Sequence, residues 1–272
     1  MTVNQQAEML EELVRLVQAS DKYRFISSEL VRDLGRKELA KRRNLKEAVK
    51  ETRTKLHQIG SAYQEKPIPY RKWMVELNNL PIDLHDQTTH HNLQKFMAMH
   101  ASTNERQSIL PAFFKGALGS LAPLHSILDL ACGLNPLALP WMPVVEDIEY
   151  FACDIYQDMV DFLAVFFKHF HIRGATSVCD LTTQVPEAKV QLALLLKTIP
   201  CLDQVDRSAA GRLLDGLQAE HILVSFPAHS LGGRSKGMLR NYEARFEELV
   251  AGKRWQITRF EYPGELAFLV KK

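Results

Sequence analysis

The sequence predicts an α/β fold: a Rossmann-like, mostly parallel sheet that ends in an antiparallel hairpin and is preceded by a helical extension. Three observations carry this expectation. Up to about residue 110, apolar residues recur at helical spacing. From about Leu124, short apolar runs alternate with helix-like stretches, the pattern of a parallel sheet covered on both faces. Charge is also unevenly placed. Arg32, Arg36, Lys37, Lys41, Arg42, Arg43, Lys46, Lys50, Arg53 and Lys55 stand against only Asp33, Glu38, Glu47 and Glu51, although the whole chain carries a net charge of +2. A strongly basic segment in a nearly neutral chain points to a polyanionic partner.

The helical elements come first. Glu8–Ala19 places Met9, Leu13, Leu16 and Val17 on one stripe, and Ser27 or Ser28 is positioned to cap a helix carrying Leu30, Val31 and Leu34. Lys46–Ile59 follows, and then the prolines of Lys66-Pro-Ile-Pro69 break the pattern. Arg71–Leu80 and Asn92–His100 are further helical segments. The expected strands are Ser126–Leu130, Ile148–Cys153, Thr176–Cys179, Leu192–Leu196 and His221–Phe226. Trp255–Tyr262 and Glu265–Val270, joined by Pro263-Gly264, form the hairpin. The division expected is a basic helical domain over residues 1–105 and a ligand-binding domain over residues 106–272.

Several functional classes are excluded. Apolar runs such as Leu192–Leu196 are too short to span a bilayer, and Glu8, Glu11 and Glu12 argue against a secretory signal. A cytoplasmic protein is the expectation. Cys132, Cys153, Cys179 and Cys201 are widely spaced, which suggests neither a zinc knuckle nor a disulfide framework. His85, His90 and His91 lie among polar residues that read as a loop or helix start, so no metal is expected. Trp73, Trp141 and Trp255 are read as packing residues.

The sharpest local signal is Asp129-Leu-Ala-Cys-Gly133-Leu-Asn-Pro136, directly after a strand. Gly133 lets the backbone approach a ligand closely, and ligands of open parallel sheets sit beyond the carboxyl ends of the strands. Asp154 closes the next strand, placed to accept hydrogen bonds from ribose hydroxyls. Asp180-Leu181 ends the third, placed to meet an adenine ring with one polar and one apolar contact. There is no G-x-G-x-x-G spacing for a pyrophosphate. A nucleoside without phosphates, S-adenosylmethionine, is therefore the expected cofactor. Five alternating units followed by a hairpin is the strand order of class I S-adenosylmethionine methyltransferases.

Several strings together resemble one family, the aminoglycoside-resistance 16S rRNA methyltransferases, and especially the actinomycete sisomicin-gentamicin branch. They are His100-Ala-Ser-Thr-Asn-Glu-Arg106, the Asp129–Pro136 string, Leu194-Leu-Leu-Lys-Thr-Ile-Pro-Cys201 and Ser225-Phe-Pro227. Ser230-Leu-Gly-Gly-Arg-Ser-Lys-Gly-Met238, Asn241-Tyr242 and Gly264-Glu265 complete the set. Members of that family methylate N7 of guanine 1405 in the assembled 30S subunit. The resemblance implies that Arg106 holds the methionine carboxylate of the cofactor and that Ala131 and Gly133 line its methionine portion. It further implies contacts to ribose and adenine from Asp154, Ile155, Asp180, Leu181 and Leu196. Lys197 and Asp203, by the same resemblance, are expected near the methyl-transfer pocket. Arg234, Lys236 and Met238 belong to an RNA-facing loop, while Arg36, Lys37, Arg42, Arg43, Lys46 and Arg53 are expected to grip phosphates.

Guanine N7 carries a free lone pair, so this reaction needs no general base. The sequence agrees, lacking the Asn-Pro-Pro-aromatic tetrad of amino-methylating enzymes: Asn135-Pro136 is followed by Leu137. Asp203 is a candidate to stabilise the cationic methylated base. A monomer acting on 16S rRNA is the expectation. A methyltransferase of a small molecule or another RNA site, and a non-catalytic ribosome-docking protein, are the alternatives.

Overall fold

The computed structural model describes residues 3–60, 67–228 and 237–272. Three helices open the chain: α1 (Val3–Gln18), α2 (Ser28–Leu39) and α3 (Leu45–Ile59). Ser27 caps α2 by accepting from Leu30 N, and Asn44 caps α3 by accepting from Glu47 N at 2.9 Å. Four more helices follow before the sheet: α4 (Tyr70–Asn78), α5 (Gln87–Met97), α6 (Ala101–Arg106) and α7 (Leu110–Leu118). Asp86 caps α5 through Thr89 N, so the polar Thr88-Thr89 segment is a helix start.

The sheet begins with β1 (Leu124–Leu130), and a 3-10 segment (Asn135–Trp141) leads to β2 (Val144–Asp154). Helix α8 (Gln157–His169) crosses to β3 (Arg173–Val178), and a loop leads to β4 (Val190–Leu196). Helices α9 (Ile199–Asp203) and α10 (Ala209–Gly216) precede β5 (Ala219–Pro227). Helix α11 (Met238–Val250) then leads to the hairpin of β6 (Gln256–Tyr262) and β7 (Glu265–Lys271). The strand order is β3-β2-β1-β4-β5-β7-β6; β1 to β5 are parallel, and β7 runs antiparallel to both β5 and β6. All seven expected strands are present, and strand order reverses between β1 and β4.

Alternating side chains divide the central strands between two cores, which is why these strands read as almost continuous apolar runs. Leu192, Leu194 and Leu196 of β4 face one core, while Ala193 and Leu195 face the other. The second core is closed by α9, α10 and α11 through Leu202, Leu213, Leu214, Phe246 and Leu249. The first is closed by α8 together with the N-terminal helices. Tyr70, Trp73 and Phe96 pack with Phe162 of α8 at ring separations of 5.4, 5.7 and 5.9 Å. An isolated bridge between Ile26 and Tyr156 adds a backbone link. The apolar core therefore runs without a break from α1 to the sheet, and the expected division at residues 105 and 106 falls inside α6.

Helices α6 and α7 had no assignment from sequence. Helix α6 is short and polar, yet buries Thr103 and Arg106, while α7 is apolar on most sides and buries Phe113, Phe114, Ala117 and Leu118. Helix α6 is too short to show an apolar period, whereas α7 does show one, with Leu110, Phe113, Phe114, Ala117 and Leu118 buried at helical spacing and Pro111, Ala112, Lys115 and Gly116 exposed between them. Trp73 is buried, as expected; Trp141 is half-buried against His90, and Trp255 lies beneath Lys253 and Lys272. Among the described residues, no helix is long and apolar enough to cross a membrane.

Phe162→Ala removes the ring shared by α4, α5 and α8 and should destabilise the fold by about 3–5 kcal/mol. In a urea titration, helix and near-ultraviolet aromatic signals should still fall in one transition. Separate melting of the N-terminal helices would contradict a continuous core.

Candidate functional site

A cavity partly open to solvent lies beyond the carboxyl ends of β1, β2 and β4, at the point where strand order reverses. Ala131 and Gly133 form its floor with φ of 49° and 53°. This left-handed backbone turns the chain sharply after β1 and leaves Gly133 N free to donate to Asp154 Oδ2 at 2.9 Å. A side chain at Gly133 would also meet the His100 ring, 2.8 Å from the position of a Cβ.

Asp154 is held by two amides, from Gly133 and, at 2.7 Å, from Ile155. Burial raises its carboxyl above the usual range despite these donors. On the next strand end, Asp180 Oδ1 accepts from Thr182 N at 2.9 Å and from Thr182 Oγ1 at 2.7 Å. Its Oδ2 is buried with no hydrogen-bond partner among the described residues. Leu181, Ile155 and Leu196 supply apolar wall between the two acids. A pair of anchored carboxylates, one with an oxygen awaiting a donor, is suited to hydroxyl and amine groups of a nucleoside.

Lys197 enters from β4 with φ of 59°, in the sparsely populated left-handed region. Its backbone N donates to Ser225 O at 3.0 Å, which fixes this turn against β5. Its ammonium is buried, 2.6 Å from Glu105 Oε2, 3.7 Å from Glu265 Oε2 and 3.4 Å from Ser102 O. Thr198 Oγ1 donates to Leu130 O, tying the ends of β4 and β1 together across the reversal point.

Of the expected site residues, Ala131, Gly133, Asp154, Ile155, Asp180, Leu181, Leu196 and Lys197 converge on this cavity. Arg106 and Asp203 do not line it. Arg106 is buried behind it, donating to Glu265 through Nε and Nη2, the shortest contact being 2.6 Å, and through Nη1 to Asn135 Oδ1 at 3.1 Å. Burial alone would raise the Glu265 carboxyl, but the Arg106 and Lys197 charges outweigh it and hold it below the usual range. Asp203 is paired with Arg245 in two contacts of 2.8 Å. That pair fastens α9 to α11.

Behind the cavity, Asn135 also donates to Asp129 Oδ2 at 2.8 Å, and Tyr150 OH donates to the same oxygen at 2.7 Å. Burial pushes the Asp129 carboxyl up to about 7, with Asn135 and Tyr150 opposing the shift. Asp129 thus supports the turn from beneath and does not line the cavity.

Sequence reasoning missed several wall residues. His100, Ser102 and Cys201 lay inside strings quoted for other reasons, and Thr182 and Thr198 follow strand-end residues already singled out. Leu30, Ile59, Gly60 and Tyr156 carried no local signal, because helices α2 and α3 reach the cavity only through tertiary packing.

The basic candidates separate by environment. Lys37, Arg43 and Lys46 are exposed and form no ion pair among the described residues. Arg36 pairs with Asp33, and Arg42 with Glu38 and Glu51. Arg53 is half-buried and donates to Leu16 O at 2.6 Å, a structural contact between α3 and α1. Met238 begins α11, whereas Arg234 and Lys236 lie outside the described residues.

Burial, with the nearby Lys197 and Arg106 charges, lowers the His100 imidazole from 6.5 to about 4. The folded chain therefore resists a proton that the unfolded chain accepts below 6.5. Stability from this residue is complete above 6.5 and declines as pH falls towards 4, a loss of about 2 kcal/mol by pH 5. In urea titrations, His100→Gln should lose less stability than the parent between about pH 7.5 and pH 5, by that margin. Equal losses would contradict a buried neutral ring.

Comparisons with known proteins agree with this geometry. The model of a family described as ribosomal RNA methyltransferase (FmrO) matches residues 19–269. A 16S rRNA (guanine(1405)-N(7))-methyltransferase of Micromonospora rosea is 32% identical over 274 residues, covering 100% of both chains. The protein of that name from Serratia marcescens is 31% identical, covering 97% of this chain and 98% of its own. Among solved structures, the 16S rRNA methyltransferase RmtF in complex with S-adenosyl-L-homocysteine superposes with a TM-score of 0.82 at 27% identity, covering 97% of this chain and 98% of that one. With a matched span from residue 19 to residue 269 and a strand order that places Gly133, Asp154, Asp180 and Lys197 around one cavity, this chain belongs to the ribosomal RNA methyltransferase (FmrO) family.

Proposed function

We propose that the chain transfers a methyl group from S-adenosylmethionine to N7 of guanine 1405 of 16S rRNA in the assembled 30S subunit, conferring resistance to aminoglycosides such as gentamicin and kanamycin. The observation that carries the reading is the cavity at the reversal point, where two anchored carboxylates and an apolar wall await a nucleoside. Full-length likeness to guanine-1405 methyltransferases supports the choice of base.

The residues present fit the cofactor. Asp154 would take the ribose hydroxyls, and the unpartnered Asp180 Oδ2 would accept from the adenine amine, with Leu181, Ile155 and Leu196 against the ring. Ala131 and Gly133 would lie along the methionine portion. Arg106, buried behind the cavity with three of its five N–H groups committed to Glu265 and Asn135, would support the methionine end from behind the turn after β1 without lining the cavity. When bound, S-adenosylmethionine supplies an electrophilic methyl on a sulfonium, and its transfer leaves a cationic 7-methylguanine.

The chain's own residues then have to position and shield. No group has to remove a proton, because N7 reacts through its lone pair, and positioning dominates the rate. Lys197 lies at the cavity with its charge already balanced by carboxylates, and so acts as a donor to the base. We assign Asp203 an indirect role, holding α9 and with it Cys201 and Leu202 at the cavity wall through Arg245.

The exposed Lys37, Arg43 and Lys46 of α2, α3 and their connection supply the phosphate grip. Residues 1–105 are thereby the RNA-gripping part, and residues 106–272 carry the strands around the cofactor. We take a monomer acting on ribosomal subunits in the cytoplasm as the working unit. A small-molecule acceptor would leave the basic face without a role.

The test is methyl transfer from labelled S-adenosylmethionine to 30S subunits and to free 16S rRNA, with 7-methylguanine mapped by strand scission. One modified guanine at position 1405, on subunits only and at a rate falling steeply with salt, is expected. Cofactor binding without transfer to either RNA would overturn the reading.

A further inference from the structure

We infer that Glu105 and Lys197 together read the target base as guanine, an inference that rests on the guanine assignment under Proposed function. The basis is the order in which the two side chains stand at the cavity. Lys197 lines it, turned inward by the left-handed backbone at the end of β4. Glu105, on α6, lies beyond Lys197, with one carboxylate oxygen 2.6 Å from Nζ and a side chain 41% exposed. Its other oxygen has no hydrogen-bond partner among the described residues. The ammonium donates to Glu105 and to Ser102 O and lies 3.7 Å from Glu265 Oε2, beyond hydrogen-bond reach, which leaves a third N–H without an acceptor among the described residues.

Outward from the cavity the chain therefore offers a cationic donor and then an anionic acceptor. The edge of guanine offers the complement in the same order. N7 must face the methyl group, O6 follows as an acceptor, and N1–H and N2–H follow as donors. With N7 at the cavity, O6 meets the Lys197 ammonium and the two N–H groups meet the Glu105 carboxylate. Adenine reverses the pattern, placing an amine against the lysine and a bare N1 against the carboxylate. That mismatch leaves polar groups unpaired, which is how hydrogen-bonding pockets reject a wrong ligand. The Lys197–Glu105 pair thereby serves twice: it balances the buried ammonium before the base arrives, and it forms a donor–acceptor template once the base is exposed.

A structural role for Glu105, limited to holding Lys197, makes a different prediction from base reading. The experiment uses 30S subunits reconstituted with 16S rRNA bearing either guanine or inosine at position 1405. Inosine lacks only the N2 amine. The parent chain should prefer guanine by about tenfold or more in kcat/KM, the loss expected for a missing hydrogen bond to a charged group. Glu105→Gln should shrink that preference to less than about threefold, with S-adenosylhomocysteine affinity within twofold of the parent as the check on folding. Glu105→Ala should flatten the preference in the same way. If both variants slow guanine and inosine equally and the preference stays, Glu105 only positions Lys197 and the inference fails. It fails equally if the parent does not distinguish the two bases. A parent chain that leaves guanine 1405 unmodified while binding cofactor would remove the underlying functional reading instead, and this inference with it.

Discussion

The buried ion pair between Arg106 and Glu265 is the interaction on which the site depends. A guanidinium and a carboxylate taken out of water cost several kcal/mol each unless geometry and further hydrogen bonds compensate. Here the compensation is extensive. Glu265 also accepts from Ser225 Oγ at 2.6 Å and lies 3.7 Å from Lys197 Nζ, while Arg106 reaches Asn135, which in turn donates to Asp129. The network joins α6, the turn after β1, and strands β4, β5 and β7. Removing one member leaves an unpaired charge in the interior, so the cluster holds its parts in one arrangement even where its net contribution to stability is small.

This arrangement explains how one sheet serves two chemical tasks. On the β1–β2–β3 side, strand ends supply anchored carboxylates for a nucleoside, with Asp154 fixed by backbone amides and Asp180 left one oxygen short of a partner. On the β4 side, the network delivers a buried ammonium and, through α6, an exposed carboxylate. The apolar core extends without interruption into α1–α3, so the basic surface of α2 and α3 is held in register with the cavity. Leu30, Ile59 and Gly60 from these helices contribute directly to its wall. The basic surface is thereby rigidly linked to the cavity.

The strands were legible in the sequence because buried parallel strands are written as local apolar runs, and Asp154 and Asp180 because each sits where such a run stops. Ser27 or Ser28 marked a helix start by its capping chemistry, and Ser27 is the cap. Helix α7 carries a regular apolar period, Leu110, Phe113, Phe114, Ala117 and Leu118, that went unassigned. Helix α6 was not legible, since the burial of Arg106 is decided by a partner far away in sequence. The same reason separates the site residues. Glu265 lies 159 residues from Arg106, and no local pattern in α6 announces that its arginine will be matched there. The family resemblance placed Asp203 near the pocket, yet Arg245, 42 residues away, engages both of its oxygens. Spacing located the strand ends; pairing across the fold decided which charges face the cavity.

The most direct test of this account is a structure of the chain bound to S-adenosylhomocysteine. The account predicts the nucleoside in the cavity between β1 and β4, its ribose on Asp154 and its amine on Asp180 Oδ2, with the Arg106–Glu265 pair retained behind Gly133. A ligand bound elsewhere, or one seated there with Asp180 Oδ2 still unpartnered, would contradict it.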